Sequence, residues 1–410
     1  MTNKCKDITY TITQDLCTGC GVCLSVCHKN AIAISVENAT FRPTVDKSAC
    51  IHCGKCLKVC PGVGVNLCKI SNSTFIADDV KENSCIGRYI KCFTGYSNNK
   101  NLRESAASGG TLSQFLIWLL EQKYIDGAVV TRFDKDAPLK VRSFIARTKD
   151  DILTAKGSKY APVSVHEALD ELKSADGRYV IVGLPCHIHG VRKLMSMDKS
   201  MKTKIVGVFS LFCSGSQTFN YTEYILNQHG GNSNELSYLS YREGNPTGMK
   251  ATGSNFSFFT EYRNYNMPLK STFYPRRCLL CVDMFGELAD ISFGDIHCDD
   301  AKEAGDGINA IIVRDDKWLN LLHQASNSGA LTLNEITVDR LLYKREMAYV
   351  KKNRNSSFIR MLQVLHIPTP DYDIPTAKVN ALTVIRYVVM RLKQFMGSQM
   401  YTWRFLPKLK

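Results

Sequence analysis

Two short stretches near the start of the chain carry thiols at a spacing that can do chemistry. CTGCGVCLSVC supplies Cys17, Cys20, Cys23 and Cys27, and CIHCGKCLKVCP supplies Cys50, Cys53, Cys56 and Cys60. Both read C-x2-C-x2-C-x3-C, the run in which three thiolates of a tight loop grip one [4Fe-4S] cubane while the fourth reaches the other cluster. The expected ligand sets are therefore Cys17, Cys20 and Cys23 with Cys60, and Cys50, Cys53 and Cys56 with Cys27. Zinc also accepts C-x2-C pairs, but it needs only four ligands per site, and two identical fourfold runs favour iron and sulfide. Small residues at Gly19, Gly21 and Gly54 let the backbone close round each cluster and aim N–H groups at its sulfides. Two such clusters transport single electrons, and a carrier fused to a larger body implies that the body uses them.

A second group of thiols lies far downstream. YPRRCLLCVDMFGELADISFGD contains Cys278 and Cys281, distant in sequence from any other close pair. RYVIVGLPC and TKIVGVFSLFC are apolar, β-branched strands that each end in a cysteine, Cys186 and Cys213, and HIHGVRKLMSM between them suits a crossover helix. A strand, a crossover and a parallel strand bring equivalent positions to one sheet edge, where α/β proteins place their sites. Cys186, Cys213, Cys278 and Cys281 then make four soft ligands, the number that a third cubane or a zinc ion requires. The iron–sulfur character of the chain favours the cluster. Cys298 is the reserve ligand, and Cys5, Cys68, Cys85 and Cys92 read as structural.

The elements that must hold these thiols follow from pattern and composition. At 410 residues, 44% apolar and 10% aromatic, the chain exceeds one ordinary domain and has material for a real core. Seventeen cysteines without a signal peptide at MTNKCKDITY point to reduced, metal-bound thiols in the cytoplasm rather than to a secreted disulfide scaffold. From about residue 102, helix and strand patterns alternate, which predicts an α/β body with a partly parallel sheet. SGGTLSQFLIWLLEQ opens a helix whose glycine-rich start is a ready anion site. The loop AKGSKYAPV gathers cation, hydroxyl and aromatic groups suited to a phosphate and a flat ring, or to a solvated turn. Three segments result: 1–85, an α+β two-cluster module like that of bacterial ferredoxins; 86–330, the α/β body; and 331–410, a basic, mainly helical extension. The net charge is +14, and residues 331–410 hold 14 Lys and Arg against 5 Asp and Glu. Such a tail suits an acidic partner, nucleic acid or an anionic membrane surface. The apolar stretch 379–396 puts Val379, Leu382, Ile385, Val389 and Leu392 on one helical face, but Arg386, Arg391 and Lys393 interrupt it, so it does not span a bilayer.

The order of these motifs, with ASGGT, KGSKYAPV, VGLPCHIHGVRKL, LFC and CLLCVDMFGELADISFGD following the two-cluster module, resembles the coenzyme F-420 hydrogenase/dehydrogenase beta-subunit family over roughly residues 10–330. The resemblance implies a flavin, FAD, in the body. On it Ser108, Gly109, Gly110 and Thr111 face the flavin, and Lys156, Ser158, Lys159 and Tyr160 add contacts. Asp283, Asp290 and Asp295 match acidic positions of the family, with loop capping as open as catalysis. The family's usual PCQ is PCH here, so His187 is either a proton donor or a helix-start residue. The function implied is a flavin-dependent, ferredoxin-linked oxidoreductase that passes electrons between clusters and a flavin, which exchanges hydride with an organic acceptor or a deazaflavin. Family members also stand beside surface-polysaccharide genes, which makes that metabolism one expectation for the acceptor. The alternative is a non-catalytic electron-transfer subunit of a larger hydrogenase, dehydrogenase or reductase complex. The expected partners are ferredoxin or another electron-transfer protein, with a peripheral membrane contact through the basic tail and no nucleic acid.

Overall fold

The computed structural model describes residues 7–134, 136–296, 307–343 and 346–409. Cys5 and the reserve ligand Cys298 lie outside the described residues. At the centre is an eight-stranded mixed sheet: β1 (Lys91–Ser97), β2 (Gly127–Phe133), β3 (Val141–Ala146), β4 (Tyr179–Gly183), β5 (Ile205–Leu211), β6 (Ile291–Asp295), β7 (Asn309–Val313) and β8 (Leu331–Ile336). Their order across the sheet is β8-β1-β7-β6-β5-β4-β2-β3. The inner four, β2, β4, β5 and β6, are parallel to one another. β3, β7, β1 and β8 add antiparallel edges.

Both faces of the parallel stretch are covered, which is why YVIVG and IVGVF are continuous apolar runs instead of alternating ones. Val129, Ile181 and Val208 enter one core, with the helices His166–Ser174 and Pro185–Met197. Their strand neighbours Val130, Val182 and Phe209 enter the opposite core with the helices Thr111–Glu121 and Asp316–Asn327. The period of two along each strand thus feeds two separate layers.

The first core does not respect the expected segments. Leu16, Val22 and Val59 from the N-terminal cysteine-rich stretch pack in it with Val129, Ile181 and Val208 of the sheet and with Phe358, Ile359 and Leu362 of the helix Glu346–Val364. The body also continues beyond the boundary expected at residue 330, because Leu331–Ile336 is the edge strand β8, paired with β1. Further along, Asp371–Tyr372 pairs in parallel with Gly64–Val65, so the tail clasps the N-terminal stretch. A three-stranded antiparallel sheet, Leu236–Glu243, Gly248–Gly253 and Ser257–Glu261, is inserted between Cys213 and Cys278 and has its own aromatic core with Tyr221, Tyr265, Phe273 and Trp403. Among the described residues no helix is long and apolar enough to cross a membrane.

Candidate metal centres

The two N-terminal runs fold alike. Each places its third cysteine in a helix of one turn or little more, Val22–Ser25 or Lys55–Val59, started by a glycine in the left-handed region, Gly21 at φ +81° and Gly54 at φ +71°. A side chain at either position would be strained there. The hairpin Ile32–Glu37 and Thr40–Val45 separates them. The crossing of the fourth cysteines is visible in the neighbourhoods. Cys17, Cys20 and Cys23 each have Cys60 as an electrostatic neighbour, whereas Cys27 lines a small cavity with Cys50, Cys53 and Cys56.

The body thiols converge from three elements. β4 and β5 run in parallel with Gly183 opposite Ser210, and three residues beyond each of these lie Cys186 and Cys213. Cys186 sits in the first turn of the helix Pro185–Met197, whose proline occupies a position where no N–H is needed. Cys278 is in the short helix Arg276–Leu279, with Cys281 just past its end. The Cys186 thiol is raised by burial and then by its neighbours Cys213, Cys20, Cys281 and Cys278. Cys20 belongs to the first N-terminal set, so that set and the body set meet.

As free thiols Cys17, Cys20, Cys186 and Cys278 hold their protons. Burial, then Cys60, pushes Cys17 up to about 12 and Cys20 up to about 11, and burial, then Cys213, pushes Cys278 up to about 12. A metal cation must displace those protons to bind. Among the described residues, Asp7, Cys50 and His52 bring ligand atoms within 4.8 Å of one another. Each proposed set supplies four soft thiols, the number that a cubane requires.

Two buried cations flank the body thiols. Lys351 Nζ donates to the carbonyls of Cys213 (2.7 Å) and Asp283 (2.9 Å). Burial works against its charge, but the Cys281, Cys213 and Cys278 sulfurs, as thiolates, and Asp283 more than offset that and hold the ammonium above its ordinary range. Arg277 donates to Pro61 O (2.9 Å), next to Cys60, and to the Tyr372 hydroxyl (2.7 Å). Asn355 Nδ2 donates to Cys281 O (2.6 Å) and Cys278 O (3.4 Å). Sequence reasoning missed Lys351 and Asn355 because AYVKKNRNSSFIR looks like a solvated charge run. The signal was the inward spacing of 351, 355, 358 and 362 on one helical face.

The remaining candidates divide. His187 has both ring nitrogens committed to backbone: Nδ1 accepts from Leu184 N–H (3.1 Å), and Nε2 lies 3.1 Å from Val163 O. Burial lowers its pKa to about 4, so it caps its helix in neutral form. Asp283 accepts from the N–H groups of Phe285, Gly286 and Glu287 and pairs with His189 at 2.9 Å. Asp290 accepts from Val208 N–H (2.7 Å), and Asp295 pairs with Arg242 (2.7 Å). All three shape loops and strand ends.

Of the residues tied to a flavin, Ser108 Oγ donates to Ile308 O (2.9 Å), and the bare Cα of Gly109 lets the chain approach Gly95, whose carbonyl an added Cβ would meet at 2.9 Å. Gly110 caps the helix at φ +71°. Lys156 Nζ reaches Ser105 Oγ (2.8 Å), which puts the Lys156–Tyr160 loop beside the SGG turn. Lys159 instead donates to carbonyls of its own loop, and Tyr160 packs on Tyr241 and Tyr262. Ser158 is half-buried in that loop. Thr111 Oγ1 is buried without a hydrogen-bond partner. A cleft of about 490 Å³ lies elsewhere, lined by Arg42, Tyr274, Arg276 and Gln394 among others.

Comparison with known proteins places this geometry. Two family models of the coenzyme F420 hydrogenase/dehydrogenase beta subunit match, the one for its N-terminal part over residues 92–170 and the one for its C-terminal part over residues 176–339. Residues 16–64 match a 4Fe-4S dicluster domain. The coenzyme F420 hydrogenase subunit beta of Methanothermobacter thermautotrophicus is 25% identical over 300 residues, covering 70% of this chain and 99% of that one. Its counterpart in Methanosarcina barkeri is 27% identical over 226 residues, covering 52% of this chain and 73% of that one. The coenzyme F420-dependent sulfite reductase of Methanocaldococcus jannaschii is 26% identical over 268 residues, 61% of this chain and 40% of that one. In fold, the chain is similar to one in the F420-reducing [NiFe] hydrogenase complex of Methanosarcina barkeri, with a TM-score of 0.58 and 20% identity over 71% of this chain and 98% of that one.

Proposed function

The chain belongs to the coenzyme F420 hydrogenase/dehydrogenase beta-subunit family, and from that premise we propose that it is the iron–sulfur electron-transfer subunit of a larger oxidoreductase. Its relatives include subunits named for F420 hydrogenase and a sulfite reductase, and the partner is a catalytic protein of that kind. When bound, cubanes supply one-electron storage. Cys17, Cys20, Cys23 and Cys60 hold the first, Cys27, Cys50, Cys53 and Cys56 the second, and Cys186, Cys213, Cys278 and Cys281 the third. The observation that carries the reading is the shared core, in which Cys20 and Val22 pack with Ile188 and Val191 of the helix that also bears Cys186. Lys351 and Arg277 offset negative charge at the third set, and Asn355 fixes the loop between Cys278 and Cys281.

The test is a reductive titration of the anaerobically purified chain. It takes up about three electrons, one per cubane, and hands them to a one-electron dye without steady-state hydride turnover. Sustained turnover of reduced deazaflavin with an organic acceptor by the isolated chain overturns the relay reading in favour of a self-contained oxidoreductase. A flavin in the body keeps one supporting observation, the partnerless buried Thr111 Oγ1 at a glycine-started helix beside Lys156. FAD there would exchange hydride and add two electrons to the titration, held by Ser108, Thr111, Lys156 and Ser158. Stoichiometric flavin in an acid extract supports that addition, and an extract without flavin removes it.

A further inference from the structure

The helix Ala381–Ser398 turns its polar side inward. Thr383 and Gln394 are buried, whereas Leu382, Ile385, Val388, Val389, Leu392 and Phe395 are each 46–58% exposed. Specific bonds hold this orientation. Gln394 Nε2 donates to Tyr274 O (2.8 Å) and Pro275 O (3.2 Å), Asn220 Nδ2 donates to Gly397 O (3.2 Å), and Tyr387 stands edge-on to Phe358. The apolar face is therefore presented outward by a firmly seated helix. At about 100° per residue, Arg386 and Lys393 fall on one margin of the apolar arc and Arg391 on the other. The turn that follows continues the surface with exposed Met400, Tyr401 and Phe405. After Asp373 the sequence carries seven Lys and Arg and no Asp or Glu.

We propose that this face rests on an anionic lipid surface, with the apolar arc at the acyl boundary and the cations among the headgroups. An apolar arc bordered by cations on both sides is the pattern of a helix lying in the membrane plane, and basic residues there are attracted to anionic lipid. The centre of the arc offers no hydrogen-bonding side chain to a protein partner. A second copy of the chain would bring the same cations against each other across a two-fold contact. The proposal does not depend on the electron-relay reading, because lipid attachment is measured without redox chemistry.

The experiment is flotation of the full-length, cluster-loaded chain with vesicles of phosphatidylcholine and phosphatidylglycerol in equal parts, and with phosphatidylcholine alone. The chain floats with the mixed vesicles and stays behind with the neutral ones. Ile385→Glu with Leu392→Glu lowers partitioning at least about tenfold, since two apolar side chains lose their burial. Arg386→Gln with Lys393→Gln lowers it about fivefold per cation, and added salt does the same to the wild type. All four side chains face solvent or the margin, so cluster absorption is unchanged in both variants. Equal flotation of wild type and the apolar variant overturns the proposal. So does sedimentation equilibrium in which the wild type is a dimer and the apolar variant a monomer, which would assign the face to a second copy.

Discussion

Lys351 brings a full charge among four thiols and bonds to the backbone of Cys213 and Asp283. Reduction adds negative charge to a bound cluster, so a cation at this position favours the reduced form. Lys351→Met should lower the midpoint potential of the third centre by on the order of 100 mV, taking Coulomb interaction at an effective dielectric constant near 20 over several ångströms, and should leave both N-terminal centres unmoved. Redox titration followed by electron paramagnetic resonance checks this, and a third centre whose potential does not move would reduce Lys351 to a loop anchor. At this scale the two N-terminal cysteine runs were legible because their spacing is local, and residues 16–64 match a 4Fe-4S dicluster domain. The charge beside Cys213 and Cys281 was not, since it comes from a helix about 140 residues beyond Cys213 and sits in a lysine-rich run. His187 was legible only as an open choice, and the contacts to Leu184 and Val163 resolve it toward capping.

Between residue and molecule stand the elements that seat the clusters. Gly21 starts the helix Val22–Ser25 at φ +81°, and a Cβ there would run into Ser164 Oγ. Gly21→Ala combines left-handed strain of ~1–2 kcal/mol with overpacking of ~1–3 kcal/mol. The expected result is a loosened contact between the N-terminal stretch and the body, read as faster limited proteolysis near residue 64 with the body left intact. The crossover from β4 to β5 was readable from RYVIVGLPC and TKIVGVFSLFC because buried parallel strands are uniformly apolar. The inserted antiparallel sheet between Cys213 and Cys278 was not, because its half-exposed strands such as LSYLSYRE carry too weak an alternation to stand out. The helix at 381–398 shows a further limit. Periodicity identifies an apolar face, but only the anchors at Gln394 and Asn220 decide that this face turns outward.

Across the whole molecule, the three stretches that sequence suggested as separate units share one core. Phe358, Ile359 and Leu362 are buried in it, each worth about 1.5–3 kcal/mol against a total stability of about 5–15 kcal/mol. A chain ending at residue 343 should therefore fail to assemble the N-terminal clusters as well as the third, although every cysteine ligand is retained; soluble, fully loaded truncated protein would contradict a shared core. On the proposed relay, this shared core would bring the N-terminal clusters within reach of the body, and the third cluster is the relay's central element. Iron and acid-labile sulfide in anaerobically reconstituted protein test it most directly, in wild type and in Cys281→Ser, with Cys298→Ser as the control for the reserve ligand. Wild type and Cys298→Ser should hold about twelve irons and twelve sulfides, falling to about eight of each in Cys281→Ser. A wild-type value near eight, or a loss confined to Cys298→Ser, would contradict it.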